Sequence, residues 1–316
     1  MTSIASRFFA LLLTLATGGS EAAVFEFTEV HMGLPVRLVL HAGDQRTAEA
    51  AARAAFARIA SLDRMMSDYR PDSELRHIDA QVGNFVPVSP ELLAVISRAL
   101  QISRATNGAF DPTIAPLVAL WRESRSTGRL PEPSRLAAAR ALVGWQQVEI
   151  DTKRSAVRLP RPGMRLDLGG VAKGYILQEA LRTLRDRGVP RALVAAGGDI
   201  VVGDAPPGRP GWRVDTPGSD PAFVARASRL TNAALATSGS SQQFVDIDGV
   251  RYSHIVDPRT GLGVTTGREA RVIAADAALA DGLATALTIL DREGVAILRG
   301  QFPEAMVSLM DGVRRP

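Results

Sequence analysis

The sequence predicts an α+β fold in which mixed β-sheets pack against helices. Strand-like and helix-like segments are interspersed along the 316 residues, and frequent short turns favour hairpins over parallel crossovers. A hydrophobic content of 46% is enough for a substantial core, and no fixed-period repeat or clean linker divides the chain. We therefore expect residues 24–316 to form a single domain, built either as one body or as two intimately packed lobes.

The first part of the chain contains two strands followed by two helices. Alternating apolar and polar residues over 25–42 predict the strands. Asp44 is a suitable N-cap for an amphipathic helix over 45–66, whose apolar residues recur every three or four positions. Ser89, followed by proline and glutamate, predicts the start of a second helix that continues to about Thr106.

The middle of the chain is less regular. Two prolines in the segment 109–121 favour an irregular or short helical path. The polar segment 122–133 contains a glycine and two prolines and predicts an exposed loop. A short helix over 134–142 and a hairpin within 146–160 follow.

The C-terminal half again alternates between strands and helices. A strand over 164–168 leads through two glycines into a helix that ends at Arg187, because Gly188 is a helix-stop residue. The strongest hairpin signal in the chain is the Asp-Gly pair at 248–249. The remaining predictions are a strand over 191–204 broken by two glycines, a strand over 270–275, a helix over 276–290 and a last strand over 305–310.

The first 23 residues are typical of a secretory signal peptide. Arg7 is followed by an apolar run from Phe8 to Ala16 that is too short to span a bilayer, and small residues suit cleavage near Ala22–Ala23. An uncleaved signal-anchor is the alternative. The chain contains no cysteine, and therefore neither a disulfide nor a lipid-attachment site. We expect a periplasmic protein without a membrane anchor after cleavage.

The charge pattern argues against nucleic acid as a partner. The net charge is +4, but the arginines are scattered instead of forming a basic stripe. Only two of the 37 basic residues are lysines, Lys153 and Lys173. Since arginine serves nearly everywhere else, a retained lysine points to a position that needs a compact ammonium group. Lys153 lies in a turn, whereas Lys173 lies in the segment "DLGGVAKGY".

The segment 165–181 places a strand end, two glycines and a helix start in succession. Glycines allow the backbone to approach a ligand closely, and a helix N-terminus favours phosphate, which Lys173 on the first turns would also reach. The segment is neither a Walker A loop nor a dinucleotide-binding glycine turn. A plain strand–turn–helix with a solvated lysine explains the pattern equally well.

The segment 275–290 carries a second candidate site. Asp281 and Thr285 are four residues apart, so a helix places both on one face, where they offer two oxygen ligands to Mg²⁺. Their apolar neighbours predict burial, and a buried aspartate needs a cation, hydrogen-bond donors or a proton. The alternative is an exposed aspartate on a polar stripe.

Three further segments carry weaker signals. Asp111 suits a turn in which its carboxylate accepts from backbone donors, and Phe110 suits the core better than a ligand contact. The hydroxyl-rich segment 234–244 could bind phosphate or form a tight turn. His254 follows a strand and precedes an Asp-Pro turn. The four histidines lack zinc-site spacing and no GxSxG motif occurs, so the pattern by itself favours a half-buried structural histidine over a catalytic one.

Taken together, these segments resemble the ApbE family, the FAD:protein FMN transferases. The resemblance covers about 30–290, and eight motifs occur in the family's order. They are "HMGLPVRL", "MMSDYRPDSEL", "NGAFDPTIAPLVALW", "LDLGGVAKGY", "LVAAGGDIVVGD", "ALATSG", "YSHIVDPRTG" and "ADGLATAL". The resemblance implies an ApbE-like α+β fold and transfer of FMN from FAD to a threonine or serine of a target protein, with release of AMP.

The resemblance also implies roles for particular residues. The metal, Mg²⁺ with Mn²⁺ or Ca²⁺ as alternatives, would be held by Gly170 (through its carbonyl), Asp281 and Thr285. His254 would be the base or would position the nucleophile. FAD, the substrate, would be bound by Met32, Tyr69, Ala109, Phe110, Asp111, Asp167, Lys173 and Ile255. The implied partners are flavoprotein subunits of membrane redox complexes.

The sequence departs from the family pattern near the hydroxyl-rich segment. Ser241 stands where an aromatic residue is common, and Gln243 where arginine often occurs, which bears on flavin or target contacts and not on the metal site. The same site would also permit FAD hydrolysis to FMN and AMP. A flavin-binding protein without turnover is the alternative outside the enzyme class.

Overall fold

The structure is a computed structural model that describes residues 23–216, 220–239, 243–290 and 292–311. The predicted signal peptide lies outside these ranges except for Ala23, which begins the first strand. The strands are β1 (Ala23–His31), β2 (Leu34–Ala42), β3 (Val86–Pro87), β4 (Glu149–Asp151), β5 (Ala156–Arg158), β6 (Ala192–Ala196), β7 (Asp199–Val202), β8 (Ala233–Gly239), β9 (Phe244–Ile247), β10 (Val250–Ser253), β11 (Glu269–Ala274) and β12 (Met306–Met310).

The helices lie between these strands in the chain. They are α1 (Gln45–Met66), α2 (Glu74–Ala80), α3 (Pro90–Ala105), α4 (Ala115–Thr127), α5 (Pro133–Arg140), α6 (Ala172–Asp186), α7 (Pro221–Ala227), α8 (Ala277–Ile289) and α9 (Arg292–Gln301). No helix in the described ranges combines the length and the apolar character needed to cross a membrane.

The largest sheet of the described residues has seven strands in the order β1-β2-β6-β7-β8-β11-β12, and each neighbouring pair is antiparallel. Two smaller antiparallel sheets are formed by β9 with β10 and by β3, β5 and β4. The α+β class is confirmed. The one parallel pairing among the described residues is an isolated bridge between Ile114 and Arg165, so the sheets are more uniformly antiparallel than predicted.

Helix α8 lies at the centre of the packing and is buried along nearly its whole length. It contacts β8 and β11 of the large sheet, and also α3 and α6. The approach of α6 to α8 depends on Gly174, because a Cβ atom there would lie 2.1 Å from the carbonyl oxygen of Ala277. This close approach brings the start of α6 against the middle of α8, where Lys173 and Asp281 meet.

Most predicted elements occur where the sequence places them. Helix α1 has the predicted bounds, and the Asp44 carboxylate accepts from Thr47 N at 2.8 Å. Asp248 and Gly249 form the turn between β9 and β10 with φ angles of 50° and 77°.

Two predictions are wrong. Residues 122–127 are helical, because α4 continues to Gly128, whose left-handed conformation ends it. Residues 164–168 do not form a strand. Their backbone bonds instead to the side chain of Asp79 and to the carbonyl of Pro112.

Candidate active site

A cavity of about 700 Å³ opens between the large sheet, α4 and the ends of α6 and α8. This volume lies within the range of small-molecule sites. The cavity brings together all but one of the predicted site residues. They are Tyr69, Ala109, Phe110, Asp111, Asp167, Gly170, Lys173, His254, Ile255, Asp281 and Thr285.

Met32, the remaining predicted residue, does not line this cavity. It lies in the turn between β1 and β2 with a φ angle of 54°, and its N–H donates to Asp63 at 3.2 Å. That turn borders a separate, smaller depression of about 340 Å³.

The predicted metal ligands adjoin one another. Asp281 and Thr285 lie one turn apart on α8, and Asp281 is only 2% exposed, which excludes the alternative of an aspartate on a solvated stripe. Gly170 lies against Thr285, because a Cβ atom on this glycine would be 3.2 Å from the threonine hydroxyl oxygen. Ser238 of β8 brings a further hydroxyl 3.3 Å from that of Thr285. The site is therefore rich in oxygen atoms.

Lys173 lies between two buried carboxylates. Its Nζ is 2.6 Å from Asp199 Oδ2 and 4.0 Å from Asp281 Oδ1. Each carboxylate is also held by a backbone donor: Thr237 N donates to Asp199 Oδ1 and Gly174 N donates to Asp281 Oδ2, both at 3.0 Å. The lysine is therefore half-buried and fixed, which excludes the solvated lysine of the plain strand–turn–helix interpretation.

Burial sets the charges in this cluster. Desolvation, followed by the neighbouring Asp281 carboxylate, raises the pKa of Asp199 to about 7. Burial also raises the pKa of Asp281. For Lys173 burial alone would lower the pKa, but Asp281 and Asp199 together raise it, so the ammonium stays charged. When both carboxylates are ionised they outnumber the one ammonium, and their raised pKa values show that the cluster binds a proton readily without a further cation.

Asp199 was not among the residues singled out from the sequence. It follows the two glycines between β6 and β7, in the middle of an apolar stretch. An aspartate that interrupts a buried strand pair needs a partner, and that is the signal which could have identified it.

His254 is half-buried at the end of the β9–β10 hairpin. Its Nδ1 lies 3.2 Å from the carbonyl oxygen of Gln243, which can only accept, so Nδ1 carries the proton and Nε2 keeps a lone pair in the neutral ring. Burial lowers the pKa of His254, and the cations of Arg125 and Lys173 act in the same direction. The ring is thus neutral near pH 7.

The segment after His254 forms the predicted turn. Asp257 accepts from the backbone of Arg259 at 2.9 Å through its side chain and from Gly261 at 2.8 Å through its carbonyl. Trp121 of α4 donates to the carbonyl of Ser253 at 3.0 Å. These contacts fix the backbone on both sides of the histidine.

The rim of the cavity carries an aromatic and basic cluster. The guanidinium of Arg122 lies 4.2 Å from the centre of the Tyr69 ring and 2.5 Å from an oxygen of Asp68. Asp167 is 3.9 Å from the same guanidinium, and burial followed by the Asp68 carboxylate raises the pKa of Asp167. Tyr69 is 75% exposed, so its ring offers a flat surface at the entrance.

Asp111 has the structural role that its turn position predicts. Its carboxylate accepts from Thr113 N at 2.8 Å and from Trp145 N at 3.1 Å, and burial raises its pKa. Phe110 is buried, but it lines the cavity, and a Cβ atom on Gly170 would lie 3.0 Å from its ring. Ser241 lies outside the described residues, whereas Gln243 lies in the cavity wall beside His254.

The donor set around Asp281 fits a hard divalent cation. Such ions prefer carboxylate, hydroxyl and carbonyl oxygens. Asp199 Oδ2 is buried, and no donor in the described ranges is aligned for a hydrogen bond to it, although Lys173 is close. Among the described residues, no three His, Asp or Glu side chains are placed to hold a metal ion together, so a cation here would need the hydroxyl and the carbonyl as ligands.

These features define an α+β protein whose cavity joins hard oxygen ligands, a fixed ammonium and a neutral imidazole, a combination suited to phosphoryl-type chemistry. Comparison with known proteins identifies the family of the chain. The ApbE family model matches residues 32–307, and the chain belongs to the ApbE family.

Two curated relatives and one crystal structure illustrate the similarity. The FAD:protein FMN transferase of Treponema pallidum (strain Nichols) is 30% identical, over 93% of this chain and 86% of that protein. That of Vibrio cholerae is 34% identical, over 78% of this chain and 75% of its own length. The apo form of the Pseudomonas stutzeri flavinyl transferase ApbE superposes with a TM-score of 0.78 at 28% identity, covering 94% and 93% of the two chains.

Proposed function

We propose that this enzyme transfers FMN from FAD to a threonine or serine hydroxyl of an acceptor protein and releases AMP. The observation that carries the proposal is the meeting of Asp281, Thr285, Lys173 and His254 in one cavity. Membership of the ApbE family supports flavin transfer as the activity. The implied acceptors are flavoprotein subunits of membrane redox complexes.

The proposed reaction exchanges the phosphoanhydride bond of FAD for a phosphoester bond to the acceptor protein. The acceptor hydroxyl oxygen forms a bond to the FMN-side phosphorus of FAD, and the bond from that phosphorus to the bridging oxygen breaks. AMP leaves with the bridging oxygen, and the hydroxyl proton goes to a base. Catalysis of such a step depends mainly on positioning and on compensating the charge of the phosphate oxygens.

Asp281, Thr285 and the Gly170 carbonyl would hold a divalent cation, with Mg²⁺ as the expected ion. When bound, this ion would draw charge from the pyrophosphate and orient it. Lys173, held by Asp199, would place its ammonium on a phosphate oxygen at the start of α6. Gly169 and Gly170 leave the backbone open to the ligand at that point.

His254 is the proposed base. Its neutral ring presents Nε2 as an acceptor, because Nδ1 donates to Gln243. After accepting the hydroxyl proton, the imidazolium would still donate from Nδ1 to the same carbonyl, so the ring keeps its orientation. At the cavity entrance, Tyr69 with Arg122 would stack on a planar ring of FAD.

A direct labelling experiment tests the proposal. The purified protein is incubated with FAD, Mg²⁺ and a fragment of a membrane redox subunit that carries a threonine flavinylation motif. We expect covalent flavin fluorescence on the fragment after denaturing electrophoresis, and none when EDTA replaces Mg²⁺. Release of free FMN and AMP without labelling would refute transfer and establish FAD hydrolysis. FAD binding without AMP release would establish a binding protein.

Residues 1–23 support the further proposal that the protein is exported to the periplasm, with cleavage near Ala22–Ala23. Cell fractionation followed by N-terminal sequencing of the exported form tests it. A protein retained in the membrane with an intact N-terminus would indicate the signal-anchor alternative.

A further inference from the structure

The outer edge of β9, the first strand of the β9–β10 hairpin, has no strand partner among the described residues. Within the described part of the chain, β9 and β10 pair only with each other, outside the large sheet. Strands at the edge of a sheet present unpaired N–H and C=O groups that can pair with another chain. The register of the hairpin shows which residues carry these groups.

Along each strand of the hairpin, the backbone N–H and C=O groups of successive residues point alternately towards the partner strand and away from it. Ile247 and Val250 flank the two-residue turn, so they form a hydrogen-bonded pair, and every second pair along the hairpin repeats this arrangement. The bond from His254 N to Gln243 O at 3.1 Å confirms the alternation. The N–H and C=O groups of Phe244 and Asp246 therefore point away from β10.

The two edges of the hairpin differ in how they are used. On the β10 side, Ser253 N donates to Val264 O at 2.8 Å and Ser253 O accepts from Trp121 at 3.0 Å. On the β9 side, the outward backbone groups of Phe244 and Asp246 have no hydrogen-bond partner within the described ranges. Among the described residues, the outer edge of β9 is thus without backbone partners at both of its outward residues, whereas the edge of β10 is occupied at Ser253, next to His254.

Side-chain packing holds this open edge in place. One face of the hairpin, with Ile247, Val245 and Tyr252, packs against Trp121 of α4. The other face is exposed, and there Arg251 forms two hydrogen bonds of 2.9 Å to Asp246 and lies 3.8 Å from the centre of the Phe244 ring. Packing against Trp121 therefore holds one face of the hairpin in place, and on the exposed face few side chains lie near the outer edge of β9.

The open edge leads directly into the cavity. The residue before β9 is Gln243, whose carbonyl oxygen accepts from both the backbone and the ring of His254. Gln243 and His254 both line the cavity. A strand advances about 3.3 Å per residue, so a chain paired with Asp246 comes level with Gln243, whose carbonyl oxygen holds the His254 ring, after about 10 Å.

We propose that the outer edge of β9 is the docking strand for an extended segment of the acceptor protein. The segment pairs with the backbone of Phe244 and Asp246 and places its hydroxyl-bearing residue beside His254. This inference rests on the proposed function, which requires a polypeptide hydroxyl at that histidine. Strand addition provides affinity through main-chain bonds, with little demand on the acceptor sequence.

A proline at the edge tests the inference. Asp246→Pro removes the outward N–H and places a ring in the path of the added strand, while Asp246→Ala removes only the carboxylate. Glu26→Pro is the matched control. Glu26 lies at an outward position of the edge strand β1, and its carboxylate forms an ion pair with an arginine, as that of Asp246 does. Strand β1 is remote from the cavity. Transfer to the threonine-motif fragment described above is measured for each variant.

We expect Asp246→Pro to lower kcat/KM for the fragment at least about tenfold, as expected for a lost hydrogen bond and a steric block. Asp246→Ala should lose much less, and Glu26→Pro should match the wild-type protein. The Kd for FAD and the rate of AMP release without acceptor show whether the cavity of each variant is intact. Equal labelling by Asp246→Pro and Glu26→Pro would overturn the inference.

A second measurement does not depend on the hairpin tolerating proline. Synthetic peptides spanning the acceptor threonine are N-methylated at one backbone nitrogen at a time. Docking as a strand predicts that methylation impairs labelling at every second residue only. Uniform tolerance or uniform loss would refute the docking strand alone. Absence of any adduct with the wild-type protein would refute the proposed transfer as well.

Discussion

Replacing Asp199 with asparagine should change how the stability of the metal-free protein depends on pH. Burial, and then the Asp281 carboxylate, raise the pKa of Asp199 from 3.8 to about 7. A carboxyl whose pKa is higher in the folded state binds its proton more tightly there. The stability it contributes is present at low pH and is lost as the pH rises from about 4 to about 7.

The size of the effect follows from the pKa values. Each pH unit between the unfolded and folded pKa corresponds to about 1.4 kcal/mol, so the interval from 3.8 to about 7 amounts to roughly 4 kcal/mol. Asparagine has a similar shape but no charge to desolvate. Above pH 7 the Asp199→Asn protein should therefore be more stable than the wild-type protein by a few kcal/mol, whereas near pH 4 the two should agree.

Urea unfolding in the presence of EDTA at a series of pH values between 4 and 8.5 measures this difference. Because the more distant titrating groups are common to both proteins, the difference between their unfolding free energies reports the titration of Asp199 together with its neighbours Asp281 and Lys173. We also expect Asp199→Asn to transfer FMN more slowly, since the Lys173 ammonium loses its nearest charged partner. A stability difference that is independent of pH, or that grows towards low pH, would refute the reasoning.

Three other perturbations have defined outcomes. His254→Ala should retain FAD binding but slow transfer about 10²-fold or more, which stopped-flow measurements check. The transfer rate of the wild-type protein should fall in acid as the His254 ring is protonated, with a midpoint below the ordinary pKa of histidine, which a pH–rate profile checks. Asp281→Ala should abolish the rise in melting temperature that we expect Mg²⁺ to give the wild-type protein, measured by calorimetry. Gly174→Ala should destabilise the fold by about 1–3 kcal/mol in urea unfolding, because its Cβ would lie 2.1 Å from Ala277 O, whereas Gly43→Ala, with open space around it, should be nearly neutral.

Each of these outcomes has a clear contrary result. A wild-type transfer rate for His254→Ala would return the histidine to a structural role. Unchanged Mg²⁺ affinity in Asp281→Ala would remove that residue from the ligand set. Equal stability of the two alanine variants would show that α6 and α8 can separate at no cost.

The fold could be predicted where local signals and packing agree. The bounds of α1 follow from the Asp44 cap and a regular apolar stripe, and the β9–β10 turn follows from its Asp-Gly pair. The extension of α4 beyond Trp121 was not predictable from polarity. Its last turns are mostly exposed, and the burial of Ser124 on one side depends on tertiary contacts.

The segment 164–168 shows the opposite error. Its alternating sequence suits a strand, but its partners are the Asp79 side chain and the Pro112 carbonyl instead of a neighbouring strand. A period of two indicates which side chains are buried and does not show whether a ladder forms. Pairing is decided by residues that are distant in the chain.

The candidate site was predictable only in its local parts. Asp281 and Thr285 could be grouped because one helix carries both. Asp199 could not be joined to Lys173 from the sequence, because their contact depends on how β7 and α6 pack. Met32 was grouped with the site by resemblance, and the structure places it at a separate depression.

The central claim is that the FMN group of FAD becomes covalently attached to a protein hydroxyl at the cavity that holds Lys173, His254 and Asp281. Intact-mass spectrometry of the threonine-motif fragment, with parallel quantification of AMP, tests it most directly. We expect a mass increase equal to one FMN phosphoester, located on threonine or serine, with one AMP released for each adduct. AMP and free FMN in equal amounts, with the fragment mass unchanged, would contradict it.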